Sequence, residues 1–181
     1  MKRLLCAFLC LSLGACAASG PAFNPASHST PVTGERGKLI VYQGNGAGTG
    51  YHPVYVGSEK LGVLKLNGFL IYEDAPGEYV VDTSIDPNDA GAVFAAAFLR
   101  TAELEAMNAR VSTDPITIGL EAGQTVYVEL EPNAKEKAWL ARCGEDNDSI
   151  NICERKVSVP QFEIRAEEDA LKALAGLKES T

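Results

Sequence analysis

Two cysteines, Cys143 and Cys153, bracket the densest polar stretch of the chain, RCGEDNDSINICERK at 142–156. Glu145, Asp146, Asn147, Asp148 and Asn151 offer hard oxygens of the kind that coordinate Ca²⁺. The EF-hand spacing fails, because Ile150 stands where a carboxylate or amide is required and no glycine follows at the sharp turn. A cation site at Asp146 and Asp148 therefore competes with a plainer reading, an acidic and solvated hairpin tip. The two thiols lack the Cys-x-x-Cys spacing that lowers a thiol pKa for redox work. In an oxidising compartment such a pair reads as a structural disulfide, with a two-cysteine metal site or a redox pair as the rival. Closing so short a loop stabilises a fold by about 2–3 kcal/mol on the chain-entropy model.

Other chemistry is thinner. A Ser-His-Asp arrangement would have to use His52, with Ser58, Ser84 and Asp82 available in principle. No Gly-x-Ser-x-Gly elbow accompanies it, so His52 is expected on the surface. The run VYQGNGAGTGYH at 41–52 has the glycines of a phosphate cradle, but a cradle needs a helix N-terminus directly after them. The glycines lead instead into Tyr51-His52-Pro53-Val54-Tyr55-Val56, which alternates like a strand, and no Gly-Lys-Ser/Thr appears. The run is expected to connect two strands. Trp139 could serve as a sugar or peptide platform, but its neighbours Ala138, Leu140 and Ala141 favour a place in the core. No catalytic residue, metal ligand or cofactor site is assigned.

The elements that must hold these groups begin after a leader. Residues 1–15 combine Lys2 and Arg3 with an apolar stretch too short to span a bilayer, the pattern of a secretory signal peptide. Leu13-Gly14-Ala15-Cys16 resembles the lipobox of bacterial lipoproteins. The resemblance implies a diacylglycerol thioether and further acylation, palmitate included, on Cys16. Ala17 in place of Asp implies sorting to the outer membrane, with the domain facing the periplasm. Multiple acyl chains would make that anchorage stable. Two of the 16 basic residues, Lys2 and Arg3, leave with the leader while all 24 acidic ones remain, which takes the net charge from −8 to −10. An acidic chain with no Lys/Arg cluster argues against nucleic-acid binding. Residues 16–36 are rich in Ala, Ser, Pro, Gly and Thr without an apolar period, and are expected to form the lipidated Cys and a flexible tether. His28 would be a solvated loop residue.

From 37 to 181 the pattern is that of one domain. KLIVYQ (38–43), PVYVG (53–57), KLGVLKLN (60–67), FLIYED (69–74), EYVVDTS (78–84), PITIGL (115–120) and TVYVEL (125–130) are short, β-branched or aromatic and bounded by turn residues. They predict a mainly β fold, a small antiparallel β-sandwich. Pro76-Gly77 suits a type II turn, GSEK at 57–60 can turn the chain, and EAGQ at 121–124 has glycine where a positive φ is needed. Two helices interrupt the strands. An inserted one near 89–110 aligns Val93, Phe94, Ala97, Phe98, Thr101 and Leu104 on one stripe, to pack over a sheet face, to bind a partner or to lie on a membrane surface. A C-terminal one near 166–178 starts with Glu167, Glu168 and Asp169 and carries Lys172 and Lys178 later, as the helix dipole prefers.

The stretch GKLIVYQGNGAGTGYHPVYVGSEKLGVLKLNGFLIYEDAPGEYVVDTS resembles the bacterial lipoprotein family catalogued as domain of unknown function 2846. Val54-Tyr55-Val56, Gly62, Gly68-Phe69 and Pro76-Gly77 carry the likeness, and LEAGQTVYVEL at 120–130 is similar to a later strand of that family. The resemblance implies a lipid-anchored β-sandwich with no established activity. The expected function is that of an outer-membrane lipoprotein whose periplasmic domain binds a small ligand or an envelope protein without catalysis. An envelope hydrolase acting on peptide or glycan, and a calcium-stabilised recognition module, are the alternatives.

Overall fold

The computed structural model describes residues 18–29, 35–44, 51–84, 112–142 and 152–180, with the side chains of 133, 137–142, 152–155 and 157 outside that description. Cys16, the helix expected near 89–110, Cys143 and the acidic tip with Asp146 and Asp148 lie outside the described residues.

The protein is mainly β, two facing sheets with a C-terminal helix. Its strands are β1 (Gly37–Gln43), β2 (Tyr51–Val56), β3 (Glu59–Lys65), β4 (Gly68–Asp74), β5 (Gly77–Thr83), β6 (Ile116–Leu120), β7 (Thr125–Arg142), β8 (Ile152–Arg165) and β9 (Lys178–Glu179). One sheet has five strands in the order β8-β7-β1-β4-β9, the other four in the order β3-β2-β5-β6. Most neighbours are antiparallel, but β1 runs parallel to β7 and β4 parallel to β9, so the larger sheet is mixed. A helix α1 (Pro25–His28) precedes the strands and α2 (Glu167–Leu174) separates β8 from β9.

Strand alternation sorts the side chains into two apolar layers. Leu39 and Val41 of β1, Leu70 of β4, and Val126, Val128 and Leu130 of β7 face Val54, Val56, Leu64, Val81, Ile118 and Leu120 of the smaller sheet, with Phe162 of β8 beside them. The intervening residues of the larger sheet, Ile40, Tyr42, Phe69 and Tyr127, point the other way, where they are covered by Phe23, Ala170, Leu174 and Leu177. All seven residues of β1 are buried, which explains why its sequence, KLIVY, does not alternate. The resemblance motif finds a physical meaning in this packing. Val54 and Val56 fill the inner layer, and a Cβ on Gly62 would stand 3.0 Å from Leu70.

Gly68 sits where the chain crosses from β3 in one sheet to β4 in the other. A Cβ there would meet Lys65 O at 2.8 Å and the Ala18 side chain at 2.9 Å, distances that leave glycine as the residue that fits. The turn between β4 and β5 departs from expectation. Gly77 is not among the residues at positive φ. Side chains hold this turn instead: Tyr72 donates to Asp74 Oδ2 at 2.7 Å, Ala75 N–H to Asp74 Oδ1 at 2.8 Å, and Tyr79 to Ala75 O at 2.7 Å. The Tyr72 and Ala75 donors hold the Asp74 carboxyl below its ordinary pKa. Gly123 does adopt the expected positive φ, at 73°, and Gly57 in the β2–β3 turn also takes one, at 60°.

Both ends of the chain differ from the sequence reading. Where residues 16–36 are expected to form a flexible tether, residues 18–29 are docked along the edge of the larger sheet. Ala18 N–H donates to Leu66 O, Gly20 N–H to Glu179 O, Glu179 N–H to Pro21 O and Phe23 N–H to Leu177 O, all within 3.1 Å. Asn24 caps α1 by accepting from Ala26 N–H. His28, expected to be solvated, is half-buried, with its ring centroid 5.3 Å from those of both Phe23 and Phe69. The buried Lys38 reaches out of β1 to His28 O and Glu73 Oε1, each at 3.0 Å. At the other terminus, the helix expected near 166–178 stops at Leu174. Gly176 takes φ 101° and turns the chain, so that Leu177 reaches the same apolar layer from outside the helix and Lys178 enters β9.

The last two long strands form a hairpin that outgrows the sheet. β7 pairs with β1 only over Thr125–Glu129, whereas its pairing with β8 continues past an irregularity between Glu131 and Lys135 to Arg142↔Ile152. Trp139 therefore stands in β7 opposite Arg155, and Cys153 in β8 opposite Ala141.

If residues 18–29 contribute to the fold as this packing requires, Phe23→Ala lowers the unfolding free energy by about 3 kcal/mol, read from urea denaturation of the Cys16→Ser chain. An unchanged midpoint would show that the segment carries no load.

Candidate binding site

On the outer face of the larger sheet, β7 places Tyr127, Glu129 and Glu131 in a row by period-two alternation. The parallel register sets Tyr42 beside Glu129, and β8 brings Arg165 opposite Tyr127. Arg165 then spans three carboxylates: its Nε donates to Glu129 Oε2 at 2.7 Å, its Nη1 to Glu163 Oε2 at 3.0 Å, and its Nη2 to Glu131 Oε1. A guanidinium with five donors in a rigid fork can hold several carboxylates at once, and these partners raise its own pKa further. Tyr42 is fully buried. Burial first, then the neighbouring Glu129 charge, pushes its phenol well above the usual range.

Next to this cluster lies a pocket of about 450 Å³, within the size range of small-molecule sites. It is lined by Gly44 at the end of β1, Asn67 in the β3–β4 turn, Glu129, and Ala173, Ala175, Gly176 and Leu177 at the end of α2. The elements meet there because α2 packs Ala170 and Leu174 onto Tyr42, Phe69 and Tyr127. Its acidic first turn lies at the far end, and Gly176 ends the helix at the pocket. Asn67 holds φ 55°, the left-handed region, and its main-chain carbonyl accepts from Lys178 N–H at 3.0 Å. Its side-chain Oδ1 is buried with no hydrogen-bond partner among the described residues. Glu129 Oε1 stands 3.8 Å from where a Cβ on Gly44 would be. The polar part of the lining thus comes from Glu129 and Asn67, on elements held in place by a packed sheet.

The residues marked by sequence fall elsewhere. His52, expected on the surface, is 1 % exposed and turns inward, because it follows the alternation that also sends Val54 and Val56 into the inner layer. Asp82 pairs with Tyr55, whereas Thr83 pairs with Val54, so alternation sends Asp82 to the opposite face from His52. Ser58 lies exposed in the β2–β3 turn, and the sheet does not bring these three groups together. The glycine run leads from β1 in one sheet to β2 in the other, and a strand rather than a helix comes after it. Gln43, a residue no motif marks, is fully buried at the inner end of β1 with neither amide atom hydrogen-bonded among the described residues, a setting that suits an internal water. Among the described residues, no group of three or more His, Cys, Asp or Glu side chains could hold a metal, and no helix is long and apolar enough to cross a membrane.

The sequence signal for the pocket was present but local. Asn67-Gly68 is a turn dipeptide with a residue suited to positive φ, and nothing in it points to Glu129 some sixty residues downstream. The chain matches no family model, no curated protein and no solved structure.

Burial raises the pKa of Asp82, and its Oδ1 lacks a hydrogen bond among the described residues. A raised carboxyl pKa means that the folded state holds the proton more tightly than the unfolded chain, so stability is lost as pH rises through that interval. Asp82→Asn is expected to raise the melting temperature at pH 7, and the gain to vanish below about pH 4, where the unfolded carboxyl is also protonated. A gain that persists at low pH would assign it to packing instead of charge.

Proposed function

We propose that this chain is an outer-membrane lipoprotein, anchored through acylated Cys16, whose periplasm-facing β domain binds a small ligand without catalysis. The observation that carries the binding reading is the pocket at the end of α2, a cavity of about 450 Å³ with Glu129 and Asn67 among its lining residues. Its walls come from β1, the β3–β4 turn, β7 and the end of α2, so the site exists only in the folded domain. The leader, the Leu13-Gly14-Ala15-Cys16 sequence and the acidic composition support the envelope address. The paired cysteines Cys143 and Cys153 fit an oxidising compartment. Membership in the family with domain of unknown function 2846 is part of the same proposal and supplies no activity of its own.

Two measurements bear on this reading. Metabolic labelling with palmitate is expected to mark the intact chain and to be lost in Cys16→Ser, which should also move from the membrane to the soluble fraction; label retained in that variant would refute anchorage at Cys16. For the pocket, Gly44→Leu puts a side chain on the pocket wall beside Glu129 Oε1, at a glycine whose φ is ordinary. Small molecules that raise the melting temperature of the Cys16→Ser chain should no longer do so in Gly44→Leu, with the unliganded melting temperature shifted by no more than a few degrees. Ligand-induced stabilisation that survives the filling would place binding outside the pocket.

A further inference from the structure

Followed toward its N-terminus, the chain leaves the described residues at Ala18, and that point is fixed on the fold. Ala18 N–H donates to Leu66 O at 3.1 Å, and a Cβ on Gly68 would meet the Ala18 side chain at 2.9 Å. Cys16 stands two residues upstream, so its Cα is confined to within about 7 Å of that of Ala18. The β3–β4 crossover at which Ala18 sits belongs to one end of the sandwich. β1 arrives there, with Gln43 opposite Gly68, and β2 departs from there, with Tyr51 opposite Lys65. The other end holds the start of β1, where Gly37 pairs with Asp74 and Gly123 N–H donates to Arg36 O, and the turn after Val56 at which β2 finishes.

The two ends differ in character. Around Ala18 stand Tyr51, which is 48 % exposed, the exposed Lys178, and the half-buried Lys65 and Leu66. Of the acidic groups at this end, Glu129 is held by Arg165 at 2.7 Å and Glu179 is half-buried. The turns at the other end carry Glu35, Glu59, Asp74, Glu78 and Glu121 against Arg36 and Lys60. The β7–β8 hairpin starts from the edge of the larger sheet opposite β9, and Lys135 Nζ meets Asp114 Oδ2 at 3.2 Å just before β6. The exposure of Tyr51 and Lys178 shows that the corner at Ala18 stays open.

We propose that the corner formed by Tyr51, Lys65, Leu66 and Lys178 rests on the phospholipid headgroups of the membrane that holds Cys16. This orientation rests on the reading of Cys16 as the point of lipid attachment. The acyl chains supply the attachment, so the corner needs only to favour one orientation, and its residues suit the task. A tyrosine has an apolar ring and a polar hydroxyl, the combination that settles at a boundary between apolar and wet surroundings, and lysine ammonium groups are attracted to anionic headgroups. The acidic turns are repelled by the same headgroups, and the seven residues of β1 hold them about 20 Å farther out. Gly44 and Asn67, in the wall of the pocket, belong to the end of the sandwich that carries this corner, which puts the pocket on the membrane side of the domain.

A photoreactive diazirine amino acid placed at position 51, 178, 58 or 122 of the lipidated full-length chain reads this orientation. All four positions are exposed, and a melting temperature equal to that of the unsubstituted chain, each measured in its Cys16→Ser form, shows that the fold is kept. The lipidated chains are reconstituted in vesicles of phosphatidylethanolamine and phosphatidylglycerol, illuminated, and assayed for phospholipid adducts by mass spectrometry. Adducts from 51 and 178 are expected to exceed those from 58 and 122 about tenfold or more, because the probe reacts only with what it touches and the far turns stand about 20 Å away. In Cys16→Ser chains mixed with the same vesicles, adducts should fall to background. Equal yields from all four positions, a higher yield from 58 and 122, or no adducts at 51 and 178 on a chain that floats with the vesicles would overturn the orientation and leave the anchor intact. A chain that neither takes up palmitate nor floats with the vesicles would instead sink anchorage at Cys16 itself.

Discussion

Everything in this fold depends on β1 being buried on both faces. A strand that puts Leu39 and Val41 into one apolar layer and Ile40 and Tyr42 into another cannot be satisfied by a two-sheet sandwich alone. The smaller sheet covers the first pair; the second requires a further cover, and the docked segment with Phe23 and helix α2 supply it. Full burial of side chains of this size is worth about 1.5–3 kcal/mol each, so leaving Ile40, Tyr42, Phe69 and Tyr127 open to water would cost a large part of a typical domain's stability. Residues 18–29 and α2 are thus structural members of the domain.

The same constraint places the polar chemistry. Once Tyr42 is buried, its hydroxyl needs a partner close by, and the parallel register of β1 with β7 offers Glu129. Glu129 in turn lies within reach of Arg165 because β8 pairs antiparallel to β7. Several interactions around one carboxylate thus hold Glu129 in place at the edge of the pocket. The end of α2 and the turn at Gly176 supply the rest of the pocket wall.

How much of this could be read from the sequence depends on which forces are local. The β-branched runs at 38–43, 69–74 and 125–130 announced strands because their side chains suit a half-buried pleated surface, and Gly123 announced its turn because positive φ favours glycine. The second half of β7 was not legible. EPNAKEKAWLAR mixes charges with a proline and makes sense only opposite β8, which itself contains Pro160. Residues 18–29 looked like a tether because their composition is that of a coil, yet a single aromatic, Phe23, and a few main-chain hydrogen bonds seat them. The end of α2 was misjudged because Leu171, Leu174 and Leu177 continue a helical period that Gly176 breaks. His52 was misplaced because an isolated histidine says nothing about which face its strand turns inward. The pocket joins Gly44, Asn67, Glu129 and the end of α2, groups brought together by register and long-range packing, and no spacing rule along the chain could have gathered them.

Docking of the chain from Ala18 onward has a consequence for any group carried on Cys16. Only Ala17 intervenes, which allows an extended reach of a few ångströms, about 3.5 Å per residue, in place of the roughly 25 Å of a free coil spanning residues 17–37. A domain held on so short a leash samples a thin shell above the surface to which it is attached. Partners confined to that surface would be met at a high effective concentration, so an affinity too weak to matter in free solution would suffice for them.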